Sequence, residues 1–181
     1  MSKIKFLASL MLMATLIISG FGCNSGSEGK DRGYIVKVGD MAPDFTVSLT
    51  NGNNFTLSEN RGRVVMLQFT ASWCGVCRKE MPHIESEIWQ PLKDKGLVLV
   101  GIDRMENMQT ALEFAQTMGI TYPLAPDIES EVFTLYARKD AGVTRNVIVD
   151  REGKIVFLTR LFDMDEFNRM VALIKELLEE Q

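Results

Sequence analysis

Cys74 and Cys77, two of the three cysteines in a chain of 181 residues, stand in "FTASWCGVCRKEMPHI" with only Gly75 and Val76 between them. On a helix that spacing is about one turn, so both sulfurs lie on the same side. Such a pair can close a disulfide, clip a metal, tether a haem, or be two small core residues. Haem attachment needs a histidine directly after the second cysteine, where Arg78 stands. A structural zinc needs four ligands. Beside the two thiols the chain offers His83, its single histidine, which also leaves a copper-delivery site without its distal ligand. No metal or other cofactor is expected. Thiol–disulfide exchange asks only that one sulfur be held as thiolate while the other waits within reach.

The elements around the pair supply that condition. Residues 64–70, "VVMLQFT", are nearly all apolar and β-prone, as a strand buried on both faces requires, and residues 97–103, "LVLVGID", repeat the pattern. Between them a helix is expected over 74–95, with Ile84, Ile88 and Leu92 on its buried face. Strand, helix and parallel strand make a right-handed crossover. Cys74 then opens a helix, where unpaired N–H groups and the positive end of the macrodipole favour a negative sulfur. Its pKa should fall below that of a free thiol, near ~8.5. Cys77, one turn on, is expected to be the more buried, resolving thiol.

Upstream, alternating residues around Asn51-Gly52 predict a β-hairpin. Downstream, the pattern predicts a helix over 106–118, a strand in "ITYPLAPD", and a short helix over 130–136. A second hairpin pairs "NVIVD" with "KIVFLT" across Arg151-Glu152-Gly153. The last helix should start at Asp163, with Glu166 completing a capping box, and bury Phe167, Met170, Val171, Ile174, Leu177 and Leu178. The fold class is α/β. A mixed central sheet is flanked by helices on both sides, with an N-terminal β-hairpin and an inserted helix.

The first residues read differently. Lys3 and Lys5 precede an apolar run over 6–18, and small Ser19, Gly20 and Gly22 lead to Cys23, the layout of a secretory signal. The run is short of the about 20 residues that span a membrane. The expected organisation is a signal over 1–23 ending at Cys23, a flexible tether over 24–37 and one folded domain over 38–181. A net charge of −4 gives no support to nucleic-acid binding.

The stretches "GDMAPDFTVSLTNGNNFTLSENRGRVVMLQFTASWCGVCRKEMP" and "VIVDREGKIV" resemble the TlpA/ResA-type thiol–disulfide oxidoreductases of the thioredoxin-like (redoxin) superfamily. Cys23 resembles the lipidated cysteine of a bacterial lipoprotein; ordinary secretion or an uncleaved anchor is the alternative. The resemblance implies a thioredoxin-like fold in which Cys74 is the exposed nucleophile and Cys77 the resolving thiol. It further implies that Trp73 walls the site and Pro82 kinks the active-site helix. Glu80 would take or give a proton, or else be a solvated helix charge. Gln68 stands where thioredoxins often carry a buried aspartate.

The family also places a cis-proline loop opposite the cysteines, and here Thr144 takes that position. Val143, Thr144 and Arg145 are therefore candidate substrate-binding residues, Arg145 either adding positive charge near Cys74 or lying on the surface. The implied setting is the cell envelope, lipid-anchored to a membrane and facing the periplasm or cell exterior. The implied partners are protein thiols and disulfides, and a membrane electron donor if the protein is a reductase. Two alternatives stay open. A peroxiredoxin-like thiol peroxidase is favoured by "APDF" and the missing proline, but Ala71 occupies the place where peroxidatic sites put threonine or serine. A non-catalytic binding lipoprotein would use the disulfide only as a staple.

Overall fold

The computed structural model describes residues 32–180. The expected signal with Cys23, and the tether up to residue 31, lie outside the described residues. Asn51-Gly52 turns the chain as expected. Gly52 takes φ +83, the Asn53 N–H donates to Asn51 Oδ1 at 3.1 Å, and β1 (Thr46–Ser48) pairs antiparallel with β2 (Asn54–Thr56). A positive φ there suits glycine, which has no Cβ to clash.

The five-stranded sheet is built around β3 (Val65–Thr70), buried at every residue. It pairs parallel with β4 (Val98–Arg104), which pairs parallel with β5 (Leu124–Asp127). On its other side runs β6 (Arg145–Val149), antiparallel, followed by antiparallel β7 (Ile155–Leu158). The order β5-β4-β3-β6-β7 is the expected mixed sheet. The main α-helices are α1 (Gly75–His83), α2 (Met108–Met118), α3 (Glu131–Tyr136) and α4 (Met164–Glu179).

Alternation along β3 divides the core in two. Val65, Leu67 and Phe69 face Phe133 and Tyr136 of α3 and Phe45 and Phe55 of the hairpin region. Phe69 meets Phe133 edge-on at 5.8 Å between ring centres. Met66 faces the opposite layer, with Met81 of α1, Phe114 of α2 and Phe167, Met170 and Ile174 of α4. Each fully buried side chain of this size contributes roughly 1.5–3 kcal/mol, so both layers clamp β3 and the loop that leaves it.

Pro82 lies inside α1, and beyond it the helix widens to π-type winding over Ile84–Trp89. Proline has no N–H for the regular ladder and its ring crowds the preceding turn. Ile84, Ile88 and Leu92 are all buried, as their spacing predicts.

Three boundaries differ from the expectation. The helix expected from residue 106 starts at Met108, because Asn107 caps it, its Oδ1 accepting the Thr110 N–H at 3.0 Å. Asp163 caps α4, accepting the Glu166 N–H at 2.9 Å, but the Glu166 carboxylate turns to Arg32 at 2.7 Å instead of closing a capping box. Residues 32–37, expected as tether, lie on the domain. The Ile35 N–H donates to Tyr136 O at 3.0 Å, and Tyr34 Oη donates to Thr159 O at 2.6 Å.

Candidate active site

The chain leaves β3 at Thr70 and turns at once, the Cys74 N–H donating to Ala71 O at 3.1 Å. Cys74 is the N-cap of α1, and its Sγ accepts the Cys77 N–H at 3.1 Å. Its sulfur thus occupies the place of a capping oxygen, fed by an otherwise unpaired amide. Cys74 and Cys77 are joined as a disulfide, with Cα atoms 5.3 Å apart. Cys74 keeps 9% of its surface exposed and Cys77 none. Cys77 is the more buried of the two, as expected, but Cys74 is itself nearly closed off, because Thr144 packs across both sulfurs. Trp73 stands beside them, mostly exposed.

Of the three loop residues singled out, only Thr144 is hydrogen-bonded to the sulfurs. Its Oγ1 lies 3.1 Å from Cys74 Sγ and 3.2 Å from Cys77 Sγ. Val143 is buried in the core layer on the α3 side of the sheet. Arg145 neither faces Cys74 nor lies on the surface. It is fully buried, its guanidinium 4.4 Å from the Tyr34 ring centre, donating from Nε to Gly142 O at 2.9 Å and from Nη1 to Arg32 O at 2.7 Å. Successive side chains of an extended segment point to opposite sides, so with Thr144 on the sulfurs its neighbour points away. Gly33 belongs to this anchor. It has φ +73, and a Cβ there would lie 2.9 Å from Arg145 Nη2. All peptide bonds among the described residues are trans, the one before Thr144 included.

Glu80 sits one turn beyond Cys77 and is buried, not a solvated helix charge. Its Oε1 accepts from Asn146 Nδ2 at 2.7 Å. Burial pushes its pKa up to about 7, against the hydrogen bond from Asn146 that pulls it down. Asn146 Nδ2 also reaches Thr159 Oγ1 at 2.9 Å, and Gln68 Oε1 accepts from Tyr122 Oη at 2.8 Å. Glu80 is therefore held among neutral amides and hydroxyls, and it can change charge near neutral pH.

Sequence reasoning missed a second acidic group on this site. Glu106 accepts from the Ser72 N–H at 2.8 Å and from Ser72 Oγ, while Arg78 Nε donates to Ser72 O at 2.6 Å. Ser72 lies two residues before Cys74, so these contacts hold the loop into the redox pair. Beside Glu106, fully buried Asp103 has its pKa pushed up to about 8, by burial first and then by Glu106 itself. An aspartate closing the apolar run "LVLVGID" was the available signal. Asn146, the one amide in the buried strand "NVIVD", was another.

Residues 38–158 match the AhpC/TSA family. Among curated proteins, the thiol-disulfide oxidoreductase ResA of Geobacillus kaustophilus is 28% identical over 141 residues, 77% of this chain and 79% of that protein. Among solved structures, a Bacteroides thetaiotaomicron protein provisionally described as a protein disulfide isomerase is 58% identical, with a TM-score of 0.80 over 82% of this chain and 94% of that one. A Chlorobium tepidum protein provisionally described as the thiol:disulfide interchange protein DsbE is 27% identical, with a TM-score of 0.70 over 79% of this chain and 99% of its own.

Proposed function

Because the chain belongs to the AhpC/TSA family, we propose that it is a thiol–disulfide oxidoreductase that exchanges disulfides with other proteins through Cys74 and Cys77. The observation that carries this reading is the disulfide at the start of α1, with Cys74 Sγ receiving the Cys77 N–H. In the reducing direction, Cys74 thiolate attacks a client disulfide, forming a mixed disulfide and expelling one client thiolate. Cys77, after losing its proton, attacks Cys74 Sγ, closes the internal disulfide and expels the second client thiolate. Two electrons pass from the cysteine pair to the client. The oxidising direction is the reverse.

Glu80 is the group that takes the Cys77 proton. It lies one turn away, and a pKa of about 7 lets its carboxylate form act near neutrality. Trp73 shields the mixed disulfide, and of the 143–145 loop Thr144 alone stands at the sulfurs where the client's sulfur arrives. The layout of residues 1–23 supports an extracytoplasmic site with lipid attached at Cys23, facing the periplasm or cell exterior. As a reductase there, the protein would draw electrons from a membrane donor. Among the described residues no helix is long and apolar enough to cross a membrane.

A thiol peroxidase is the second reading, favoured by the family match itself. The two are separated by assaying the full chain for reduction of a disulfide-bonded protein and for consumption of hydrogen peroxide. Disulfide reduction, with a client-linked species accumulating on Cys74 in Cys77→Ser, is the expected result. Peroxide turnover without exchange would replace the proposal. In the same experiment Cys23→Ala should move the protein from the membrane fraction to the soluble fraction.

A further inference from the structure

We propose that Thr144 is a catalytic residue of the exchange, its hydroxyl donating a hydrogen bond to whichever of the two sulfurs carries negative charge. The inference rests on Cys74 and Cys77 being the exchanging pair. The geometry is specific: one hydroxyl oxygen, 3.1 Å from Cys74 Sγ and 3.2 Å from Cys77 Sγ, 2% exposed and shielded from competing water. A threonine hydroxyl has a single proton on a rotatable bond, so it serves one acceptor at a time and can change acceptor by rotation alone.

Charge moves between those two acceptors during the reaction. Before attack it sits on Cys74, where the Cys77 N–H is the other donor. Once the mixed disulfide has formed, Cys74 Sγ is neutral and the charge needed for resolution is on Cys77. Its proton has left to Glu80, so the hydroxyl transfers none. Bond making and breaking are those of the exchange itself: the Cys77–Cys74 bond forms, the Cys74–client bond breaks, and the client leaves as thiolate. Proline in this position, the residue the family resemblance leads one to expect, has no donor to offer.

The surroundings keep the hydroxyl in place. Thr144 O accepts from the Leu161 N–H at 3.1 Å and from Arg160 Nη1 at 3.2 Å. The next residue is the buried Arg145, which ties the loop back to Gly142 O and Arg32 O. Arg145 thereby anchors the loop that carries Thr144. A hydrogen bond to a charged sulfur in a shielded site is stronger than one in water, so its loss should register in equilibrium and in rate.

The test is a comparison of Thr144→Val, Thr144→Ala and Thr144→Ser in the full chain. The readouts are the pH midpoint for alkylation of reduced Cys74 by iodoacetamide, the reduction potential against glutathione, and the release rate of a mixed disulfide preformed on Cys74. Valine matches threonine in shape, and serine keeps the hydroxyl. The proposal expects Val and Ala to raise the midpoint by about one pH unit, a tenfold loss of thiolate stabilisation. By the same factor the pair becomes more reducing by ~30 mV. Release should slow severalfold, and Ser should stay close to wild type in all three. Should Val misfold, the Ala and Ser pair carries the same contrast. An exchanging wild type with Val and Ala unchanged in midpoint and release overturns the role of Thr144 alone. A wild type that exchanges no disulfide overturns the role and the underlying function together.

Discussion

Two buried carboxyls lie near the cysteine pair, Glu80 on its helix and Asp103 on β4, and their surroundings differ. Glu80 has an amide donor, Asn146 Nδ2, at 2.7 Å and sits one turn from Cys77. Asp103 has another acid for a neighbour, Glu106, which is itself bound to Ser72. Burial raises the pKa of both, to about 7 and about 8. At Glu80 the hydrogen bond from Asn146 opposes burial, while at Asp103 the neighbouring acid Glu106 adds to it. The contrast separates two uses of a buried acid. The first sits one turn from Cys77 with its pKa raised to near neutrality, and the second lies beside the Glu106 that holds Ser72 and with it the loop into Cys74.

Rate should divide the two sites most sharply. Glu80→Gln should slow disulfide exchange by roughly 10- to 100-fold, in the range of a lost general base, and should remove the rise in rate as pH passes through about 7. Asp103→Asn, measured in the same stopped-flow assay, should alter the rate by less than about threefold. Equal losses in both variants would erase the distinction.

Stability should show a smaller effect of opposite weighting. Each folded pKa lies above its ordinary value, 4.5 for Glu80 and 3.8 for Asp103, so each carboxyl binds its proton more tightly in the folded chain. The associated stability is fully present below those ordinary values and is lost as pH rises through about 7 and about 8 respectively. Thermal midpoints should therefore fall by several degrees between mildly acid and mildly alkaline solution. Asp103→Asn should flatten that slope more than Glu80→Gln, and a slope unchanged in both would mean that neither acid is held protonated.

Local pattern carried most of the fold. The apolar runs of β3 and β4, the four-residue recurrence of Ile84, Ile88 and Leu92, and the Asn51-Gly52 turn each depend on neighbours in the chain, and each formed where its period requires. The cysteine pair was legible for the same reason. What stayed hidden depends on contacts between distant segments. Arg145 reads as a free charge, yet Tyr34 and the Arg32 carbonyl, more than a hundred positions away, make a buried socket for it. For Glu80 a proton carrier and a solvated helix charge read equally well until Asn146, 66 positions on, meets it from β6. Glu106 reads as the first turn of a helix, but Asn107 caps that helix and Glu106 binds Ser72 instead.

The account rests on Cys74 being a stabilised thiolate, and the most direct test is the pH dependence of its alkylation in the reduced full chain, read by mass spectrometry on the peptide that carries it. The account predicts a midpoint at least one unit below the ~8.5 of a free thiol, since Cys74 Sγ accepts from the Cys77 N–H at the start of α1 and lies beside the Thr144 hydroxyl. A midpoint at or above that free-thiol value would contradict it.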